Sequence, residues 1–275
     1  SNYCQVSGEQ IPTLTNVFSC GAPVPAAVLR STLACVGAGA TMHTPYGATE
    51  SLPVASIEAS EVLNETAEQT DQGAGICVGR KFDTVDWQVI RITDEPIASI
   101  EQVDQLPTGE IGELIAKGPQ VSPAYVVGEE HNAAAKIEDG GAVWHRLGDV
   151  GYFDDEQRFW YCGRKAQRVI TAEGTLFTIP CEAVFNSHPS VSRTALVGVG
   201  PAKQQAAVLV VEPVGEVVRD TLEAELVALA EAHSHTRSIK NVLWHESLPV
   251  DVRHNSKINR EELAVWAATQ LPGDS

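Results

Sequence analysis

The chain has 275 residues, a length that predicts about two domains. Hydrophobic residues make up 43% and charged residues 20%, which excludes collagen-like, coiled-coil and disordered chains. The net charge of −17 argues against nucleic acid as a partner, because a polyanion would be repelled. The sequence has no run near the roughly 18 apolar residues of a membrane span and no signal peptide. We therefore expect a cytoplasmic protein without a membrane span.

Six scattered cysteines, with no CxxC pair, argue against a zinc site and predict mostly reduced, buried thiols. The chain begins with Ser1 and contains a single methionine, Met42. This start predicts an N-terminus that has been cut, processed or replaced.

The first part of the chain is predicted to be mixed and then rich in strands. Apolar spacing predicts a helix over Val24–Val36, an extended segment over Ala40–Pro45 and an acidic surface loop with a short helix over 57–73. A hairpin turn is predicted between Tyr152 and Trp160. Short apolar runs between Gly, Pro and Asp predict further strands at Ile76–Val78, Trp87–Ile92, Ile111–Lys117 and Phe159–Cys162.

After about residue 165, strands alternate with helices, which predicts a compact α/β unit. Its predicted elements are a helix end at Ala183–Ser187, strands at Ala195–Val199, Ala207–Val211 and Val242–Trp244, and helices at Leu222–Ala232 and Glu261–Ala268. We place the domain boundary near Arg164–Ala166. The predicted fold class is therefore mixed α/β, with domains at 1–164 and 165–275.

Two segments of the first domain combine residue types suited to nucleotide binding. Gly21, Ala22 and Pro23 precede the first helix and let a flat ligand approach the backbone, although alone they are typical of a helix-start turn. Tyr46-Gly47-Ala48-Thr49-Glu50 offers a ring for a base, a hydroxyl for a phosphate and a carboxylate for Mg²⁺. The alternative for this segment is a turn with an exposed Glu.

Two later segments carry charged groups. Asp149 could accept both hydroxyls of a ribose, and Arg164 could bond the same sugar. Taken singly, they are typical of a β-turn aspartate and a surface arginine. Lys257 lies in a predicted Ser/Asn-rich loop before the last helix, where a lysine is usually solvated unless the loop docks against the other segments.

In this order and spacing, the segments resemble the adenylate-forming superfamily of acyl-CoA synthetases, luciferases and peptide-synthetase adenylation domains. Gly112–Gly118 and Tyr125 belong to the same series, which spans residues 19–260. Within the superfamily, Cys162–Ala172 and Thr178–Phe185 most resemble the OleC-type β-lactone synthetases of bacterial olefin biosynthesis. The resemblance implies the C-terminal part of a large nucleotide- and acyl-binding domain, followed by a small, mobile C-terminal domain.

The resemblance also implies a role for each matched residue. Gly21, Ala22 and Pro23 would line the adenine, and Tyr46 would pack on the base beside Gly47. Thr49 would contact the α-phosphate, and Glu50 would bind Mg²⁺. Asp149 and Arg164 would hold the ribose, and Lys257 would serve the adenylation step. Two positions depart from the family pattern. The hinge falls on Ala166, where Asp or Lys is common, and Cys20 stands where a small residue such as glycine is common.

The implied reaction uses ATP and Mg²⁺ to activate a long-chain β-hydroxy acid as its acyl adenylate. The substrate's own β-hydroxyl then closes a β-lactone and releases AMP, and the lactone passes to other enzymes of olefin biosynthesis. One alternative is a long-chain fatty acyl-CoA ligase, which needs CoA. An alternative of another class is a nucleotide-binding module without catalytic activity.

One family feature is missing from these 275 residues. The family carries a Ser/Thr/Gly-rich loop with a lysine that cradles the β- and γ-phosphates, and the resemblance places this loop before the position of Ser1. We therefore expect this chain alone not to catalyse adenylation.

Overall fold

The computed structural model describes residues 2–251 and 254–271. The chain divides into two compact units, the first of Ser1–Glu68 and Ile76–Tyr161, the second of Gln69–Gly75 and Cys162–Ser275. Both contain helices and sheets, which confirms the predicted mixed α/β class. The predicted domain limits of 1–164 and 165–275 stay a prediction. Across the described ranges, every helix is too short or too polar to cross a lipid bilayer.

The elements are numbered in chain order. The helices are α1 (Asn2–Ser7), α2 (Ala26–Leu33), α3 (Ala59–Glu61), α4 (Ala67–Asp71), α5 (Glu129–Ala135), α6 (Thr178–Asn186), α7 (Arg219–Ala232) and α8 (Arg260–Gln270). The strands of the first part are β1 (Asn16–Phe18), β2 (Thr41–Ala48), β3 (Ser51–Glu58), β4 (Ile76–Cys77), β5 (Arg80–Lys81), β6 (Asp86–Ile90), β7 (Gly112–Lys117), β8 (Lys136–Asp139), β9 (Ala142–Phe153) and β10 (Phe159–Arg164). The later strands are β11 (Val169–Ile170), β12 (Thr175–Leu176), β13 (Val191–Val199), β14 (Ala206–Pro213), β15 (Asn241–Trp244), β16 (Val250–Asp251) and β17 (His254–Ile258).

Two sheets organise the first unit, with strand orders β1-β2-β3-β5 and β4-β10-β9-β7-β6. Strand β7 lies inside the second sheet, between β9 and β6. Its residues Leu114, Ile115 and Ala116 are fully buried, as expected for a continuous apolar strand that is covered on both faces. Leu114 and Ala116 pack in one cluster, whereas Ile115 packs in another, so the alternation of the strand fills both sides of the sheet.

The second unit is built on the sheet β13-β14-β15. Alternate residues of β13 and β14 separate into two cores. Leu196 and Leu209 pack in the cluster that includes residues of α6 and α7, whereas Val197 and Val208 pack with residues of α8. The period of two along each strand therefore explains why helices cover both faces.

The structure shortens one predicted helix and overturns one predicted loop. Helix α2 begins at Ala26 rather than Val24, because Pro25 before it is extended (φ −60°, ψ 145°) and ends the preceding segment. Of the surface loop with a short helix predicted over 57–73, the helix is confirmed and the loop is wrong. Strand β3 continues to Glu58, and α3, a π-helical turn over Val62–Thr66 and α4 follow directly.

The acidic residues of that helical run resemble a solvated loop in sequence because their partners lie far away along the chain. Glu61 and Glu65 accept hydrogen bonds from the Arg158 guanidinium at 3.3 and 3.0 Å, and the Arg158 side chain is only 7% exposed. Ala59 and Thr66 are buried. The run is therefore part of the folded unit.

Other predictions have clear outcomes. The extended segment at Ala40–Pro45 lies almost wholly in β2, and β9 and β10 form the predicted hairpin. The predicted loop around Lys257 is wrong, because this residue lies in β17, which pairs with β16. The prediction of mostly buried free thiols is confirmed for Cys35, Cys77, Cys162 and Cys181. Burial raises the pKa of the Cys77 and Cys162 thiols to about 12.

Candidate functional site

A hydrogen bond joins two predicted site residues that are distant in the sequence. The Tyr46 hydroxyl donates to Oδ2 of Asp149 at 2.6 Å. Asp149 is 4% exposed, and the Tyr46 ring lies 6.0 Å from the Phe159 ring and 6.3 Å from the Tyr161 ring. The fold therefore holds the Asp149 carboxylate in a fixed place beside an aromatic cluster.

Asp149 stands in an irregular part of β9. Gly148, just before it, has φ +70°, a backbone conformation that glycine adopts without the strain that other residues meet. The pairing of β7 with β9 shifts register at this point. Bulges of this kind re-aim the side chains that they carry, and Asp149 lies within this one.

Glu50 lies in the turn between β2 and β3 and has its own hydrogen-bond donor. The Tyr125 hydroxyl donates to Oε1 of Glu50 at 2.8 Å. Burial opposes ionisation, but this donor and the Glu50 backbone N–H outweigh it and hold the pKa of the carboxyl below its ordinary value. The charges of His145 and Lys136 act in the same direction. The turn therefore presents an ionised carboxylate.

Gly47 is required by the tight turn beside Glu50. A Cβ at this position would lie 2.3 Å from the Ser51 carbonyl oxygen, closer than any real contact. Thr49, which follows, is exposed. The turn thus leaves the Thr49 hydroxyl accessible to a ligand, in line with its predicted phosphate contact.

The segment that carries Tyr125 is held by contacts that the sequence did not suggest. The Tyr125 N–H donates to Oδ1 of Asn132 at 2.7 Å, and Nδ2 of Asn132 donates to the Tyr125 carbonyl at 3.1 Å. Lys136 Nζ donates to the Ser122 carbonyl at 2.6 Å, and burial lowers the pKa of this lysine. No motif pointed to Asn132 or Lys136, because their partners are set by the path of the loop.

The Gly-Ala-Pro segment follows β1, the strand that pairs with the strand of Tyr46. Strands β1 and β2 are parallel, and Phe18 is opposite His43. Gly21 has φ +96° and nothing within 4 Å of a Cβ position. Gly21 and Pro23 are exposed, whereas Ala22 is half-buried.

The remaining predicted residues belong to the second unit. Arg164 ends β10, Ala166 lies in the 3₁₀ turn Lys165–Gln167, and Lys257 lies in β17; all three are exposed. Gly163 before Arg164 packs tightly, because a Cβ there would lie 2.6 Å from Oγ1 of Thr178. The structure thus brings Tyr46 and Asp149 together within the first unit and places the three cationic or hinge positions in the second.

Glu50 is an ionised carboxylate, the kind of ligand that Mg²⁺ binds. Mg²⁺ prefers ionised oxygen ligands and typically takes one or two carboxylates together with substrate phosphates. Within residues 2–251 and 254–271, no three His, Cys, Asp or Glu side chains converge on one point. A site that combines Glu50 with phosphate oxygens fits the residues present.

Sequence comparison identifies relatives over most of the chain. Residues 2–126 match the AMP-binding enzyme family. Two proteins named olefin β-lactone synthetase, from Stenotrophomonas maltophilia and Xanthomonas campestris pv. campestris, are 46% and 45% identical over 96% of this chain and 49% of their own length. The chain therefore spans about half the length of the curated relatives it matches.

Solved structures show the same fold. The amide bond synthetase McbA from Marinactinospora thermotolerans is 24% identical, with a TM-score of 0.71 over 92% of this chain and 47% of that chain. The o-succinylbenzoate CoA synthetase MenE from Bacillus subtilis, solved with an acyl-adenylate intermediate, is 19% identical, with a TM-score of 0.71 over 95% of this chain and 48% of that chain. The family match over residues 2–126 and these relatives thus make the chain similar to AMP-binding enzymes, over about half of the relatives' length.

Proposed function

We propose that this chain supplies the AMP-binding residues of an ATP- and Mg²⁺-dependent ligase that makes an acyl adenylate and closes it to a β-lactone. The observation that carries the proposal is the hydrogen bond from Tyr46 to Asp149, which unites two family segments 103 residues apart. Asp149 accepts the ribose hydroxyls of the nucleotide, and Arg164 holds the same sugar. Gly21, Ala22 and Pro23 line the adenine.

The proposed chemistry starts from a repulsion. A substrate carboxylate and the α-phosphate of ATP are both anions, so the barrier falls when positive charge lies at the phosphoryl oxygens. Glu50 would hold Mg²⁺, which would supply part of that charge. Thr49 donates a hydrogen bond to the α-phosphate. Lys257 contributes its ammonium group when the small domain, turning about Ala166, brings it to the nucleotide.

The substrate is a long-chain β-hydroxy acid, and its β-hydroxyl attacks the acyl carbon and expels AMP. The names of the two relatives at 45–46% identity support this product. The lactone would then pass to other enzymes of olefin biosynthesis. A cytoplasmic location fits the buried, free thiols.

A fatty acyl-CoA ligase is the second candidate. It is favoured by a more distant relative, a 2-succinylbenzoate–CoA ligase from Bacillus cereus, which is 26% identical over 88% of this chain and 44% of its own length. A CoA ligase would pass the acyl group to a thiol, whereas the lactone needs no second substrate. The two reactions therefore differ in their requirement for CoA.

Nucleotide binding is the first test. We expect the chain to bind AMP in calorimetric titration, and D149N and Y46F to weaken binding about tenfold, since each removes a hydrogen bond to a charged group. D155N, a matched change at an exposed neighbour, should leave affinity unchanged. Equal affinities for D149N and D155N would contradict the assigned ribose site.

Catalysis is the second test. The 275-residue chain should give no ATP–pyrophosphate exchange, because it lacks the phosphate loop. A chimera in which this chain replaces the matched half of the Stenotrophomonas relative should convert a β-hydroxy acid to lactone and AMP without CoA, and K257A should lose this turnover. Strict dependence on CoA would favour the acyl-CoA ligase. A chimera that binds AMP but never makes an acyl adenylate would favour a non-catalytic module.

A further inference from the structure

Next to the proposed ribose site, the first unit buries an ion pair that no assigned role uses. Nη2 and Nε of Arg146 donate to Oε2 of Glu113 at 2.6 and 3.2 Å. The two side chains are 2% and 1% exposed. The guanidinium also donates to the carbonyls of Thr93 at 2.6 Å, Glu95 at 2.9 Å and Ala134 at 3.2 Å. The Arg146 guanidinium therefore links its own strand, β9, to β7, to the 93–95 segment and to the end of α5.

The position of this pair relative to Asp149 is set by strand register. In the β7–β9 ladder, Glu113 is opposite Val150 and Ile115 is opposite Arg146. Leu114 on β7 therefore faces three residues of β9, 147–149. Glu113 stands at one end of this bulge and Arg146 at the other, so their ion pair closes the bulge that carries Asp149.

A bulge with extra residues can relax in several ways unless its ends are fixed. The Tyr46 hydroxyl holds the tip of the Asp149 side chain, but it does not fix the backbone from which that side chain projects. The planar Arg146 fork, with its several acceptors in set directions, fixes both strands at once. A carboxylate that must meet two adjacent ribose hydroxyls depends on such backbone precision.

We propose that Glu113 and Arg146 are positioning residues for the nucleotide ribose, acting through the bulge that presents Asp149. This inference rests on the proposed AMP site and adds to it two residues that do not touch the ligand. Their loss should weaken recognition of the ribose hydroxyls while adenine binding remains.

The test compares AMP with 2′,3′-dideoxyadenosine monophosphate on the 275-residue chain by calorimetric titration. We expect the wild-type chain to prefer AMP by at least about tenfold, because hydrogen bonds to a charged carboxylate are lost with the hydroxyls. R146K keeps the charge but not the fork, and E113Q keeps the shape but not the charge. Both should reduce the preference to within about threefold, with little change for the dideoxy nucleotide. E110Q, the same change at an exposed glutamate nearby, should keep the full preference.

A purely structural pair would lower stability without changing this ratio. A folded R146K or E113Q variant, judged by circular dichroism, that keeps the tenfold preference would overturn the inference while leaving the AMP site intact. If the wild-type chain fails to bind AMP, the proposed function falls as well. If both variants unfold, backbone NMR order parameters of the wild-type chain show whether the bulge at residues 147–149 is rigid. Values near 0.85 at residues 147–149 support a fixed bulge, and values below about 0.6 contradict it.

Discussion

Each unit of the molecule contains an arginine–glutamate ion pair, and the two pairs differ in burial and in surroundings. In the first unit, Arg146 and Glu113 are 2% and 1% exposed and border the strand segment of Asp149. In the second, Arg260 at the start of α8 binds Glu182 of α6, with side chains 12% and 6% exposed. Glu182 also accepts the Leu196 N–H of β13 at 2.7 Å.

Under the proposal above, the surroundings of an ion pair determine whether it supports ligand recognition as well as stability. The Glu182 pair ties two helices to one sheet, and regular elements surround it. The Glu113 pair lies where strand β9 is irregular and carries Asp149, the proposed ribose ligand. We therefore expect the Glu113–Arg146 pair to affect both stability and ligand recognition. We expect the Glu182–Arg260 pair to affect only stability.

The largest effect is expected for R146A. This change removes the guanidinium that pairs with the buried Glu113 carboxylate, and the expected loss is about 3–5 kcal/mol of unfolding free energy. Urea denaturation followed by circular dichroism measures it. A loss below about 1 kcal/mol would mean that the pair is relaxed or hydrated in solution, and the contrast between the two units would disappear.

R260A should cost less, about 2–3 kcal/mol, because its side chain is partly exposed and solvent can screen the remaining Glu182 charge. AMP affinity at a temperature where the variant stays folded should match wild type within twofold. R219A is the matched control, since Arg219 also begins a helix, α7, but is exposed. A fall in AMP affinity with R260A would break the distinction between the units.

G148A tests the bulge directly. An alanine at φ +70° should cost about 1–2 kcal/mol, and it should lower the preference for AMP over the dideoxy nucleotide. G215A, in a turn of the second unit at φ +65°, carries similar strain and should leave nucleotide binding unchanged. Equal effects of the two variants on the AMP preference would assign the loss to general instability.

The smallest effect is a pH-dependent one. Burial opposes ionisation of Asp154, but hydrogen bonds from Trp160 and Arg158 outweigh it and hold the pKa of this carboxyl below its ordinary value. A depressed pKa contributes stability above the unfolded value near 4 and loses it as the pH falls through the folded value. D154N should therefore cost about 1 kcal/mol at neutral pH, and its difference from wild type should shrink below about pH 4.

E212Q provides the counterpart in the second unit. Burial opposes ionisation of Glu212, but hydrogen bonds from the Leu248 N–H and from Arg193 outweigh it and hold the pKa of this carboxyl below its ordinary value. Urea midpoints measured from pH 7 to pH 2.5 should converge with wild type for both variants. A difference that stays constant across this range would show that the carboxyl charge contributes nothing.

Much of the fold was predictable from local pattern. The strands of the second unit and the helix Leu222–Ala232 follow from apolar periodicity, because residues two or four apart share a face. The helical run 59–71 was not predictable in this way. Its acidic residues Glu61 and Glu65 look solvated in sequence, and their partner Arg158 lies more than ninety residues away.

The sequence by itself determined the residue types and the order of the matched segments, and with them the similarity to AMP-binding enzymes. The order of Tyr46, Gly47, Glu50 and Asp149 can be read from the sequence without a structure. Only the tertiary structure decided which of them meet and what holds them. The Tyr46–Asp149 bond, the Tyr125–Glu50 bond and the Arg146 pair behind the bulge each join residues that are apart in the chain. Strand register and loop path set such contacts, and no local pattern encodes either.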